Sequence, residues 1–270
     1  MEKIPELPVT LKPYDVPKLP EVARQYHVSP NTFLQSAMFG MVQRGRRKYL
    51  EKKKIVSFRN IAVFFTGGEL DQGDLDVFLH AVHLAARSGK NHPDGLVEFS
   101  VRGFLKELGK QPGKSGQDWL LNSIRRLSAC LVEIHFGDDL RQTVLNRLGG
   151  IYGGSLIYDF YHDPAKNRFF LRINADLGSL FNFGWTSLKW KQRLELKLSL
   201  SKWLQGLYSS TALYPVKVEN LRALCRSRCG RLSDFRSKLK ESLKELIEAG
   251  IIESWEIDKE DKVHVVLQPE

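Results

Sequence analysis

Cysteine is scarce. Three in 270 residues cannot all pair, so no disulfide framework is expected and a reducing, cytoplasmic setting fits best. Long apolar runs are missing too. None approaches the roughly 18–20 residues needed to cross a bilayer, and no membrane partner is expected. The opening stretch MEKIPELPVTLKPYDVPKLP holds no continuous apolar segment, so it does not read as a secretory signal. Proline is thin except at this end, where Pro5, Pro8, Pro13, Pro17, Pro20 and Pro30 fall. Such spacing cannot propagate a helix, and residues 1–30 are expected to form an extended arm.

Clusters with metal-ligand spacing are also lacking. Cys225 and Cys229 lie four apart, but no second Cys/His pair is near and Cys130 is far along the chain. Zinc needs four ligands, or three and a water, so these cysteines read as small packed hydrophobes. His80 and His83 share one helical turn without a third ligand, which again favours packing. The GKS at 113–115 resembles the end of a phosphate loop, but that loop requires glycine at position 108, which is Leu108, and a preceding strand. No metal, cofactor or catalytic group is expected. The one catalytic alternative is a nicking replication enzyme, with Tyr158 or Tyr161 of YDFYHD as nucleophile.

What the chain does have is positive charge. The 41 Lys and Arg against 31 Asp and Glu give a net charge of +10, which favours a polyanionic partner, nucleic acid before membrane surface. The segment RGRRKYLEKKK (44–54) concentrates it. Either it is a solvated basic stretch, or Arg44, Arg46 and Arg47 are accessory phosphate contacts.

Periodicity organises the rest. Apolar spacing predicts a helix over about 73–87, a strand at LVEFS (96–100), a short helix around Phe104–Leu108 and a longer helix from about Gln117. A strand follows at LVEIHF (131–136), and then a hairpin from 152–161 and 168–174 around Asp163-Pro164. A second pass predicts a helix over 188–208, a strand at PVKV (215–218), a short helix with Leu221 and Leu224, and a long helix from Ser233. Two closing strands end it. Adding 119 to first-half positions lands on like residues: Leu75/Leu194, Leu79/Leu198, Val97/Val216, Phe99/Val218, Leu105/Leu224, Leu120/Leu239, Ile124/Leu243, Leu127/Leu246 and Val132/Ile251. One offset across five elements is hard to obtain by chance. The expected fold is α+β, a pseudo-duplicated pair of tandem winged-helix (helix-turn-helix) domains at 31–184 and 185–270.

In such a unit the second helix of the helix-turn-helix enters the major groove. With Phe235, Leu239, Leu243 and Leu246 facing inward, Ser233, Ser237, Lys240 and Lys244 face out, flanked by Arg236 and Lys238. Ser233 reads as the N-cap, and Arg226, Arg228 and Arg231 in the preceding turn would lie over flanking phosphates. In the first copy, Lys114 and Ser115 lead into the helix, and Asp118, Asn122, Arg125 and Arg126 fall away from the Leu120/Ile124/Leu127 stripe. Hydroxyls and cations on one outward face suit both base edges and phosphates. The bland alternative is an ordinary solvated helix face.

The stretches FTGGELDQGDLDVFLHAVHLA, GKSGQDWLLNSIRRLSACLVEI, YGGSLIYDF and LSKWLQGLYSSTALYPVKVENLRALC resemble the TrfA-type plasmid replication initiators, from about Asn31 to the C-terminus. The resemblance implies a bacterial plasmid protein that binds direct repeats (iterons) of double-stranded DNA at an origin. It implies help in opening an A·T-rich region and recruitment of the host initiator, replicative helicase and sliding clamp. It also implies homodimers in exchange with active monomers, and reading helices at 115–130 and 233–249. The glutamine-leucine-phenylalanine clamp-binding peptide of some members is not found in the arm; GSLFNF (178–183) is its nearest echo. A repressor of the same fold would share every binding residue. Because the two copies differ in sequence, a monomer should prefer a non-palindromic site, with its helices about one turn of duplex apart (~34 Å).

Overall fold

The computed structural model describes residues 19–42, 47–57, 61–88, 96–136, 151–174, 178–181, 184–211 and 214–269. It mixes helices and strands around two buried apolar clusters, one running from Val28 to Trp190 and the other from Leu196 to Val263.

The chain enters with β1 (Tyr26–Pro30), α1 (Asn31–Leu34), β2 (Phe39–Gly40), β3 (Tyr49–Ile55), β4 (Ile61–Gly68) and β5 (Leu70–Asp71). Then come α2 (Gln72–Ser88), β6 (Leu96–Ser100), α3 (Val101–Glu107) and α4 (Lys114–Ser128). The strands β7 (Leu131–Phe136), β8 (Ile151–Gly154), β9 (Ile157–Asp163) and β10 (Arg168–Ile173) follow, with α5 (Gly178–Phe181), β11 (Trp185–Lys189) and α6 (Trp190–Glu195) after them. The second cluster is built from α7 (Ser199–Ser210), β12 (Val216–Lys217), α8 (Val218–Leu224), α9 (Leu232–Glu248), β13 (Ile252–Ile257) and β14 (Lys262–Leu267).

Both units run helix, strand, short helix, long helix, hairpin, with β7 and β8 set between the long helix and the hairpin of the first. Their three-stranded sheets have matching orders, β6-β10-β9 and β12-β14-β13, all antiparallel. In each, the strand before the short helix pairs with the second strand of the hairpin. The short helices end alike as well. Gly109 (φ +66°) follows α3, and Lys110 N–H donates to Leu105 O at 2.8 Å; Arg226 (φ +53°) follows α8, and Ser227 N–H donates to Arg222 O at 3.0 Å. This is the left-handed stop that closes many helices.

The offset of 119 pairs buried residues in matching elements at Val97/Val216, Leu105/Leu224, Leu120/Leu239, Ile124/Leu243 and Leu127/Leu246. It fails at both ends. Val132 lies in β7, which belongs to a four-stranded antiparallel sheet, β3-β4-β7-β8, whereas Ile251 leads into β13 of the hairpin sheet. The helix expected over 188–208 is broken. Residues 185–189 are a strand, and α6 and α7 are separated by an extended Leu196 (ψ 122°).

The extended arm expected over 1–30 is contradicted at its C-terminal end. Residues 1–18 lie outside the described residues, but Tyr26–Pro30 is strand β1, in full antiparallel register with Trp185–Lys189. A strand on each side of the expected border at 184/185 therefore closes one ladder. Trp190 packs with the first core, and the second core begins at Leu196. Hydrogen bonding explains this pairing better than composition can, since an isolated strand leaves its backbone groups unpaired.

A buried polar network of Gln72, Asp76 and Arg193 in the first unit is tied to Lys202 of the second. Arg193, fully buried, donates through Nε to Asp76 Oδ1 at 2.6 Å and through Nη2 to Gln72 Oε1 at 2.8 Å. Lys202 Nζ reaches the other Asp76 oxygen at 2.5 Å. Met41 N–H donates to Cys225 O at 2.7 Å, and Trp203 Nε1 to Ser36 O at 3.2 Å. Ser36 and Met41, in the first unit, are thus bonded directly to the second.

Candidate nucleic-acid interface

Helix α4 buries Leu120, Ser123, Ile124 and Leu127 and exposes Lys114, Ser115, Asp118, Asn122 and Arg125. The stripe forms because positions three and four apart share a face. Its N-cap is Gly113, which offers no side chain to the free N–H groups of the first turn. Arg125 Nη1 lies 3.4 Å from Asn122 Oδ1, a weak contact between neighbours on the outer face.

Arg126 is the exception. Expected to fall away from the stripe, it turns inward, with Nη2 2.6 Å and Nε 3.2 Å from Asp74 Oδ1. Asp74 is fully buried and also accepts from Ser123 Oγ at 2.6 Å and from Arg47 Nη1 at 3.0 Å. Burial, with the charge of Asp71 alongside, pushes the Asp74 carboxyl above the usual carboxylate range, and the two guanidinium groups oppose that shift. Arg47 meets Asp71 as well. Arg126, expected on the reading face, and Arg47, expected as an accessory phosphate contact, are therefore held by in-chain carboxylates. Arg44 and Arg46 lie outside the described residues.

Helix α9 buries Phe235, Leu239, Ser242, Leu243 and Leu246 and exposes Ser233, Ser237, Lys238, Lys240 and Lys244, with Arg231 exposed at its start. Arg231, not Ser233, is the N-cap residue, and it makes no side-chain cap. Ser233 lies inside the first turn, where its backbone O accepts from Ser237 Oγ at 3.2 Å. Arg236 forms a two-point pair with Asp261 in the β13–β14 turn, Nε to Oδ1 at 3.0 Å and Nη2 to Oδ2 at 2.9 Å.

The turn before α9 divides in the same way. Arg228 pairs with the buried Glu69 of the first unit, and Arg226 Nη2 donates to Leu70 O at 3.3 Å. Both arginines act across the junction between the units. Glu69 is held below its usual range by the Lys48 N–H and by Arg228, against the penalty of burial. Cys225, beneath this turn, is buried, which pushes its thiol up to about 12, and Cys229 is half-buried.

Two further expectations are refined. His80 and His83 are joined by His27 of β1, a neighbour that spacing alone could not reveal. His27 Nε2 lies 3.0 Å from His80 Nδ1, and its ring stacks on His83 and Trp190 at centroid distances of 4.2 and 3.8 Å. Among the described residues no group of His, Cys, Asp and Glu could hold a metal. Tyr158 and Tyr161 are exposed on β9, at 57% and 63%. Among the described residues no helix is long and apolar enough to cross a membrane.

Comparison with known proteins fits this geometry. The sequence model of the family described as "TrfA protein" matches residues 9–266. The chain belongs to the TrfA family. The plasmid replication initiator protein TrfA of Escherichia coli is 24% identical over 277 residues, covering 97% of this chain and 66% of that relative. The chain thus spans slightly under two thirds of the relative's length. Among solved structures, selenomethionine derivatives of domains 2 and 3 of RctB align at TM-score 0.57 and 14% identity, over 90% of this chain and 99% of that one. The Pi initiator protein, crystallised in complex with iteron DNA, aligns at TM-score 0.54 and 13% identity, over 82% of this chain and 100% of that one. At these identities the likeness is one of fold.

Proposed function

We propose that this chain is a plasmid replication initiator that binds iteron DNA through two winged helices, with α4 and α9 as reading helices. One observation carries the proposal. The same helix–strand–helix–helix–hairpin order occurs twice, and in each unit the long helix exposes hydroxyl and cationic groups opposite its buried stripe. Family membership and the name of the E. coli relative support it.

In this reading the border between the units falls near 195/196, between the two cores. Lys114, Ser115, Asp118, Asn122 and Arg125 face one major-groove segment. Arg231, Ser233, Ser237, Lys238, Lys240 and Lys244 face the next. Cations released from the phosphates supply affinity, and side chains on base edges supply sequence preference. Arg47, Arg126, Arg226 and Arg228 hold the frame on which the two helices sit. Origin opening, recruitment of host initiator, helicase and clamp, and exchange between dimers and monomers belong to the same proposal through the family.

A mobility-shift titration at several salt concentrations tests it, against the plasmid's own origin and against random duplex. Tight, strongly salt-dependent binding to direct repeats without strand cleavage is the expected result. Equal weak binding to both duplexes would reduce the chain to a basic protein. A covalent adduct on supercoiled plasmid, lost in Tyr158→Phe or Tyr161→Phe, would favour a nicking enzyme instead.

A further inference from the structure

The turn between β13 and β14 is acidic and basic by turns, DKEDK, which makes it a poor partner for phosphate. It is nevertheless firmly built. Asp258 Oδ1 accepts from the N–H of Glu260 at 2.8 Å and of Lys262 at 2.9 Å, and Asp258 O accepts from the Asp261 N–H at 3.1 Å. Asp261 takes a left-handed conformation (φ +60°), and its carbonyl accepts from the N–H of Val218, the first residue of α8, at 2.9 Å. Asp261 is therefore tied to its own turn and to the neighbouring helix. Its carboxylate is presented to α9.

Arg236 receives it side-on. Its Nε–H and one Nη2–H point at the two Asp261 oxygens. A guanidinium carries five N–H donors in a fixed plane. This pairing leaves the end-on fork, one Nη1–H parallel to the second Nη2–H, together with the remaining Nη1–H. Arg236 and Asp261 are each about a third exposed, so the fork is open to a ligand while the stem is braced.

We propose that Arg236, aimed by Asp261, reads a single guanine in the major groove beneath α9; this rests on the reading of α9 given above. Guanine presents N7 and O6 as adjacent acceptors, which match the end-on fork, whereas no other base offers that pair. A phosphate would also accept two N–H groups. The carboxylate beside the guanidinium cancels its net charge, however, and a neutral pair that keeps its donors suits an uncharged base edge better than an anion. Asp261 is a positioning residue here. It restricts the arginine's rotamers before binding, and it makes Arg236 a weak contact for random DNA.

The test uses the full chain. A pool of duplexes with a random 24-bp core is selected for binding by the wild type, Asp261→Asn and Arg236→Ala, and then sequenced. The expected result is one guanine column present for the wild type and lost in both variants, with the other columns retained. On the selected duplex, 7-deazaguanine at that position should weaken the wild type roughly ten- to hundredfold and leave Asp261→Asn nearly unaffected. This DNA-side measurement needs no folded variant. If no guanine in the wild-type site is sensitive to it, the proposal fails. A motif unchanged in Asp261→Asn overturns it while leaving α9 as a reading helix. Uniform weakening on all sequences with a reduced salt slope would make Arg236 a phosphate contact instead. Failure of the wild type to enrich any motif would overturn both this proposal and the function on which it rests.

Discussion

Helices α4 and α9 occupy the same place in their units, yet they use their arginines in opposite directions. Arg126 of α4 turns into the fold and shares a fully buried carboxylate with Arg47 and Ser123. Arg236 of α9 stays at the surface, held by a carboxylate that is itself a third exposed. The short helices before them differ likewise. The left-handed stop after α3 is Gly109, where that conformation is nearly free, but after α8 it is Arg226, a strained choice that lets the guanidinium reach Leu70 O. The first unit spends basic residues on its own frame and on a four-stranded sheet with no counterpart between α9 and β13. In the second, helix α9 keeps Lys238, Lys240 and Lys244 exposed. Equivalent elements therefore need not have equivalent roles.

The sharpest contrast should appear on acidification. Burial, followed by the charges of neighbouring histidines, lowers His27 to about 2 and His80 to about 4. Both rings are thus neutral in the fold, while an unfolded histidine titrates near 6.5. Below that value the unfolded chain binds more protons, so stability falls as pH falls, through about 4 for His80 and further for His27. The loss is up to about 1.4 kcal/mol per pH unit for each ring. Hydrogen exchange between pH 7 and 4 should show β1 and α2 loosening before α9, and His27→Phe should flatten the dependence. Simultaneous loosening of both cores would break the comparison.

Replacing Asp74 by alanine should cost about 3–5 kcal/mol in urea denaturation, because it leaves Arg126 partly buried without its carboxylate and Arg47 with Asp71 alone. Asp261→Ala should cost less than about 1 kcal/mol, as expected of an exposed pair. Similar losses would show that both arginines serve the frame. In DNA binding the order reverses. Lys240→Ala with Lys244→Ala should lower the slope of log affinity against log salt by about 2, whereas Arg126→Ala should leave the slope of the folded protein unchanged. A small effect should also come from Gly109→Ala. Nothing lies within 4 Å of the added methyl group, so the cost is backbone strain alone, about 1 kcal/mol; differential scanning calorimetry would read it.

Much of the local structure was legible. The stripes of Leu120, Ile124 and Leu127 and of Phe235, Leu239, Leu243 and Leu246 mark helices in which each of these residues is buried, with Ser123 and Ser242 joining them. The hairpin expected from 152–161 and 168–174 is formed by 157–163 and 168–173, whereas residues 151–154 pair with β7 in the four-stranded sheet. The strand at Tyr26–Pro30 was not legible, because five residues ending in proline carry little periodicity and their partner lies over 150 positions on. The break between α6 and α7 did leave a trace: Leu194, Leu196, Leu198 and Leu200 recur every second residue, a strand spacing and not a helical one, but only packing decides that Trp190 joins one core and Leu200 the other.

By itself the sequence determined composition, charge, the periodic helices and the family, because these depend on residue type and near-neighbour spacing. The tertiary structure alone decided what each arginine does. Arg126 meets a carboxylate 52 positions away, Arg228 one 159 positions away, and Arg236 one 25 positions away. A guanidinium is the same group in all three places. Whether it faces a buried acid, a braced acid or water is set by the chain that folds beside it, and the electrostatic energy follows from that distance and burial.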